Sequence, residues 1–261
     1  MRNVTDDPFF HYPRHDYPTS QGPVAMPIFY YDCSNFMALF FVEHDKAQSL
    51  VSADGLEAVQ FRNGKALAVV AFYEYRHTEI GPYNEVGVAI AATLPGMALP
   101  VSSLLSLFRH PDNNRIGLNV IDLPVTTEAA CAAGREIWGY PKFVAPISFA
   151  LQGRRFSGAV TDPDSTSDLV RLAGKTGPGV LVPLLDLVLY SRHHGQTLRG
   201  TANTRGGGRL CLPGAVRLHV SDSKHRMAEN LRRLGLADAK PALVSHTSKL
   251  QLRLNAGMAL P

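Results

Sequence analysis

The stretch Phe143-Val-Ala-Pro-Ile-Ser-Phe-Ala-Leu151-Gln152-Gly153-Arg154-Arg155-Phe156-Ser-Gly-Ala-Val-Thr161 sets two apolar runs of strand length on either side of four turn-like residues. A link that short cannot carry a crossover, so the two strands pair antiparallel as a hairpin. Outward from it, apolar runs of similar length recur at 28–31, 37–42, 66–75, 85–93, 116–121, 180–190, 216–220 and 250–254. Their length and their bounding Gly, Pro and Asn residues predict a mainly β chain. Helical spacing is confined to four short pieces: 45–51, 101–108, 127–137 and 224–234. The third has Thr126 or Thr127 as N-cap before an Ala-rich run, and the fourth stops at Gly235. The expected fold class is α+β, mainly antiparallel β: a curved sheet or β-barrel with a few external helices and no doubly wound sheet. Residues 1–27, rich in Pro, Tyr and His and without periodicity, are expected to form an extended N-terminal arm, and residues 28–261 one domain.

Composition narrows the function classes. Of 261 residues 45% are hydrophobic, enough for a substantial core and too many for disorder throughout. The charged share is 18%, with 22 Gly and 18 Pro, which favours turns over a coiled coil or helical bundle. Cys33, Cys131 and Cys211 are odd in number and far apart, so neither a disulfide framework nor a zinc pattern is expected. Reduced, buried thiols in a cytoplasmic protein are the expectation instead. Asp6, Asp7, Asp16 and the prolines of residues 1–23 do not read as a secretory signal. Residues 86–108 are uncharged and long enough to span a bilayer. Pro95-Gly96, Pro100 and three serines make them a strand, a turn and a short helix, and no membrane partner is expected. The net charge of +4 divides unevenly: residues 1–191 hold 14 Lys and Arg against 19 Asp and Glu, and residues 192–261 hold 12 against 3. The basic third suits a small anionic ligand or a subunit interface. Without aromatic and basic residues interleaved, nucleic acid is not expected.

Common catalytic motifs fail one after another. There is no G-x-S-x-G, and Ser221-Asp-Ser-Lys224 and Lys175-Thr-Gly177 stand in the wrong order for a serine acyl-transferase site. His193-His194 has no metal-ligating partner at useful spacing, so no metal is expected. Gly206-Gly207-Gly208 runs into the strand-like Leu210-Cys211-Leu212 and not into Lys-Ser/Thr and a helix, so no nucleotide cofactor is expected either. One segment stands out: Gly134-Arg135-Glu136-Ile137-Trp138-Gly139-Tyr140-Pro141-Lys142-Phe143-Val144. Lys142, among aromatic neighbours, is either a lysine snorkelling over apolar surface or an amine taken out of water. A desolvated amine gives up its proton well below the usual lysine range. Free, it attacks a ketone to form an iminium, whose nitrogen draws electrons from a nearby carbon bond and leaves an enamine.

Gly-Arg-Glu-Ile-Trp-Gly-Tyr-Pro-Lys142 resembles the Schiff-base motif of the acetoacetate decarboxylase family, and Gly81-Pro-Tyr83-Asn-Glu85 resembles the family's G-x-Y-x-E element. The resemblance runs from about residue 28 to the end. It implies a lyase that decarboxylates a β-keto acid, with Lys142 as nucleophile and Glu85 as the carboxylate facing it. Tyr83, Trp138, Tyr140 and Phe143 are then expected to line the substrate pocket. Arg135 and Glu136 are expected beneath the site as a structural ion pair or hydrogen bond. An anionic keto acid and a homo-oligomer are the implied partners. Two positions depart from the pattern. The residue after Lys142 is Phe143 and not a second lysine, and Ser34 falls near the early-strand arginine, with no arginine between Arg14 and Arg62. The same lysine chemistry serves aldol addition or dehydration of a 2-oxo acid in some relatives, and a non-catalytic binding protein on this fold is the third reading.

Overall fold

The computed structural model describes residues 7–61, 64–97 and 111–260; the helix expected at 101–108 lies outside them. In chain order the elements are β1 (His15–Tyr17), β2 (Val24–Met26), β3 (Ile28–Glu43), α1 (His44–Val51), β4 (Glu57–Ala58), β5 (Lys65–Thr78), β6 (Tyr83–Thr93) and β7 (Gly117–Val125). Then come α2 (Glu128–Trp138), β8 (Lys142–Val144), β9 (Ile147–Gln152), β10 (Arg155–Thr161), β11 (Asp168–Lys175), β12 (Gly179–Pro183) and β13 (Leu187–His193). The last are β14 (Gln196–Arg205), β15 (Gly207–Cys211), β16 (Arg217–Val220), α3 (Arg226–Arg233), β17 (Leu243–Leu254) and β18 (Met258–Ala259).

The expected barrel is present and closed. Strands β17, β3, β5, β6, β7, β13 and β14 follow one another, and β14 pairs back onto β17. Every barrel contact is antiparallel except β7 with β13. A second sheet, in the order β16-β11-β10-β9, lies outside, and the hairpin expected at residues 152–155 joins its β9 and β10.

Alternation along the strands builds two cores from one wall. Phe36, Ala38 and Phe40 of β3, with Val70 and Phe72 of β5, face outward against Phe156, Val160, Leu172 and Leu218 of the second sheet. Phe36 and Phe156 stack at 4.0 Å. The intervening residues face the lumen. Both faces of these strands are covered, and that is why they read as unbroken apolar runs. Helix α3 is fastened to this layer by Asp122, whose carboxylate accepts from Arg226 Nε at 3.1 Å and Asn230 Nδ2 at 2.9 Å.

The expected runs change in detail: 28–31 and 37–42 are parts of one strand, β3, and 143–151 divides between β8 on the barrel and β9 in the second sheet. The apolar run 180–190 is two strands and not one: β12 pairs with β15, and β13 pairs with β7 and β14. Pro183 has no N–H to continue the ladder. Asp186 then holds the corner by accepting from Thr204 N–H and Asn203 Nδ2. The described part of the N-terminal arm is not simply extended: β1 and β2 form a hairpin, and Phe10, 5% exposed, packs on Phe29 and Tyr31. Arg205 donates to both carboxylate oxygens of Asp7 at 2.7 and 2.6 Å, which lowers Asp7 from 3.8 to about 2. An acid with a depressed native pKa stabilises the fold above its unfolded value and loses that contribution as pH falls through the native value. Docking of the arm is therefore expected to be complete above about pH 4 and to weaken toward about pH 2, read as protease accessibility of residues 7–14.

All three cysteines are free and buried. Among the described residues no helix is long and apolar enough to cross a membrane.

Candidate active site

Three local devices bring Lys142 to the lumen. Thr127 Oγ accepts from Ala130 N–H and starts α2, and Gly139, at φ +69°, ends it. Gly139 also lies tight against the chain of β13, where a Cβ would meet the Arg192 carbonyl at 2.4 Å. The chain then turns through Tyr140-Pro141 into β8, which pairs parallel with β7 so that Lys142 stands opposite Leu123. The lysine stem runs back across α2 at Gly134. A Cβ there would lie 2.3 Å from both Cδ and Cε of Lys142, so the glycine of the G-R-E motif is the groove in which the lysine lies. Glu85 comes from β6, opposite Tyr73 of β5 and Val125 of β7.

The two predicted catalytic residues meet. Lys142 Nζ donates to Glu85 Oε2 at 2.7 Å, with side chains 7% and 11% exposed. Tyr75 O–H donates to the other oxygen, Oε1, at 3.2 Å. The amine lies 5.7 Å from the Tyr83 ring, and the hydroxyls of Tyr83 and Tyr30 are 3.0 Å apart. Burial, and after it the negative charge of Glu85, pushes the phenols of Tyr30, Tyr73, Tyr75 and Tyr140 well above their usual value. They are held as neutral O–H groups around the ion pair.

Tyr83, Trp138 and Tyr140 line the cavity. Trp138, 2% exposed, stacks on Tyr140 and donates from Nε1 to the Asn255 carbonyl at 3.1 Å. Trp138→Ala is expected to lower unfolding free energy by about 3–5 kcal/mol, read as a reduced urea midpoint.

Phe143 does not line the cavity. Neighbouring residues of a strand point to opposite faces, so with Lys142 inside, Phe143 packs outward on His225 at 4.6 Å and on the outer core. Arg135 and Glu136 are also corrected. Both lie on the exposed face of α2, and Glu136 accepts from the backbone N–H of Ser20 at 2.9 Å and from its hydroxyl at 2.5 Å. That support reaches the N-terminal arm and not the underside of the site.

Sequence reasoning quoted Gly134 only as part of the lysine motif and passed over Tyr30, Tyr73 and Tyr75, because no spacing rule joins strands so far apart in the chain. It also left open what stands beside Ser34. Arg76 of β5 donates to Ser34 Oγ at 2.5 Å, outside the cavity, and is matched there by Asp32 and Glu74 at 2.6 Å each. Among the described lining residues Lys142 is the only cation and Glu85 the only carboxylate. Among the described residues no cluster of three or more His, Cys, Asp or Glu is placed to hold a metal.

A closed, mainly antiparallel barrel encloses one amine and one carboxylate in a pocket of small-molecule size. Comparison with known proteins identifies the family. The family model described as acetoacetate decarboxylase (ADC) matches residues 11–240, and the chain belongs to that family. Membership supports an enzyme of the lyase kind. The chain is similar in structure to an acetoacetate decarboxylase from Legionella pneumophila subsp. pneumophila str. Philadelphia 1, at TM-score 0.65 and 17% identity over 98% of this chain and 95% of that one. It is also similar to the enduracididine biosynthesis enzyme MppR complexed with pyruvate, at TM-score 0.60 and 16% identity over 93% and 95%. An acetoacetate decarboxylase-like enzyme from Sphingomonas wittichii RW1 follows, at TM-score 0.58 and 15% identity over 91% and 94%. No curated protein matched by sequence.

Proposed function

We propose that the protein is a Schiff-base lyase that decarboxylates a β-keto acid on Lys142. The observation that carries this reading is the buried Lys142–Glu85 pair in a mostly apolar lumen. A buried ion pair adds little stability over apolar residues of the same size, so its presence here calls for a chemical reason. Lys142 attacks the keto carbon, Glu85 holds the proton released, and loss of water leaves an iminium beside the Glu85 carboxylate. The electrons of the bond to the carboxylate carbon then flow to nitrogen and CO2 departs. Glu85 takes up a proton from water and passes it to the enamine at carbon, and water then releases the ketone and returns the amine.

The apolar lumen favours this step, because an iminium with a carboxylate becomes a neutral enamine and neutral CO2. Acetoacetate decarboxylase activates its lysine with a neighbouring cation. Phe143 stands in that position here, so burial and Glu85 have to manage the amine and its proton. Aldol addition or dehydration of a 2-oxo acid, the second reading, is favoured by the likeness to MppR complexed with pyruvate. The substrate of that reaction keeps its carboxylate throughout, and beside Lys142 the described lining offers no further cation to pair with it.

Borohydride trapping with acetoacetate, pyruvate and a panel of larger keto acids, read by intact mass, tests the proposal. An adduct with a β-keto acid together with evolved CO2 is the expected result; released aldehyde instead supports the second reading. Absence of any adduct supports a non-catalytic binding protein. Glu85→Gln is expected to lower kcat by about 100- to 10,000-fold while trapping remains detectable, because the amide cannot carry the proton. Complete loss of trapping would place the glutamate in the first attack as well.

A further inference from the structure

The lumen is far larger than the reacting atoms of the proposed reaction require. Its volume is about 460 Å³, within the range of roughly 300–1,000 Å³ that takes drug-sized ligands. Strand register shows where the space lies. Glu85 shares a row with Tyr73 and Asn35; the next lumen-facing row is Gly87, Ala71 and Met37, and the one after is Ala89, Val69 and Leu39. Two such steps cover about 13 Å along the strands. Beyond them Leu67, Phe61 and Ile116, each under 5% exposed, form an apolar floor. A barrel of about this strand number is either filled by its own side chains or holds one small ligand. Here Gly87, Ala71 and Ala89 stand where larger residues would fill it, and a Cβ on Gly87 would meet nothing closer than Leu123 Cδ1 at 3.5 Å.

We infer, resting on the lysine reading above, that the substrate is a β-keto acid whose keto carbon carries an extended apolar chain, seated between Lys142 and that floor. The carboxylate leaves as CO2 and the product is the corresponding methyl ketone; one proton is taken up in its place. Acetoacetate fills only the space beside the amine, and each further methylene moves from water into the lumen.

The test is kcat/KM for straight-chain β-keto acids, lengthened from acetoacetate one methylene at a time. The expected result is a rise of about fourfold per methylene, ending where the chain meets the floor. In Ala89→Leu, and separately in Gly87→Val, the optimum is expected at a shorter chain. A flat or falling series, or an optimum that neither variant moves, overturns the inference and leaves the Schiff-base reading intact. The two readings are separated further by displacement of an environment-sensitive naphthalene dye with straight-chain methyl ketones. Displacement that strengthens with length, with no borohydride adduct at any length, upholds the lumen as an apolar-chain site and defeats the lysine chemistry. Displacement independent of length defeats the chain site.

Discussion

Lys142→Ala is expected to lower kcat by at least about 1,000-fold and to abolish the borohydride adduct, because no other amine lines the described cavity. Lys142→Arg is the sharper variant. Guanidinium keeps the positive charge opposite Glu85 but stays protonated, and so cannot form an iminium. Both variants should be inactive while only Lys142→Ala leaves a buried carboxylate without its ion partner. Urea midpoints are expected to separate them, with Lys142→Ala the less stable by about 3–5 kcal/mol. Activity retained in Lys142→Arg would rule out the Schiff-base route.

Gly134→Ala is expected to separate activity from stability. In the interior of a helix Ala is preferred over Gly by about 1 kcal/mol, so α2 itself gains. The added Cβ occupies the path of the lysine stem, at 2.3 Å from Cδ and Cε, and a flexible side chain yields before a helix does. The amine then leaves its position 2.7 Å from Glu85. Misplacing a catalytic group by about 1 Å costs on the order of 100-fold. The expected pair of results is a kcat reduced about 100-fold and a urea midpoint unchanged or raised. Wild-type kcat in this variant would mean that the stem reaches the lumen by another path.

How much could be read in advance differs between the fold and the site. The antiparallel character was legible at residues 152–155, where the short link left no alternative, and the β character in the continuous apolar runs that two covered faces require. The ends of α2 were legible because Thr127 and Gly139 act on the backbone next to them. Strands β11 and β14 were not legible, and β15 only at its Leu210-Cys211 end. Their inward residues alternate with Arg, Thr and Gly, and a run-length reading does not register half-buried strands. Phe143 was misplaced for a related reason: its neighbour Lys142 turned inward, and strand pleating then turned Phe143 out.

The sequence by itself determined the chemistry on offer. A lysine after Trp-Gly-Tyr-Pro and a glutamate in G-x-Y-x-E are local patterns, carried by residue identity and short spacing. What those residues face was decided by tertiary structure alone. Barrel closure brings β5, β6, β7 and β8 together, so a carboxylate 57 positions before the amine comes within a hydrogen bond of it. The same closure encloses Gly87, Ala71 and Ala89 as a void and leaves Arg76 outside, neutralised by Asp32 and Glu74. Burial, register and the facing of a side chain depend on contacts made across the whole chain, and no window of sequence holds them.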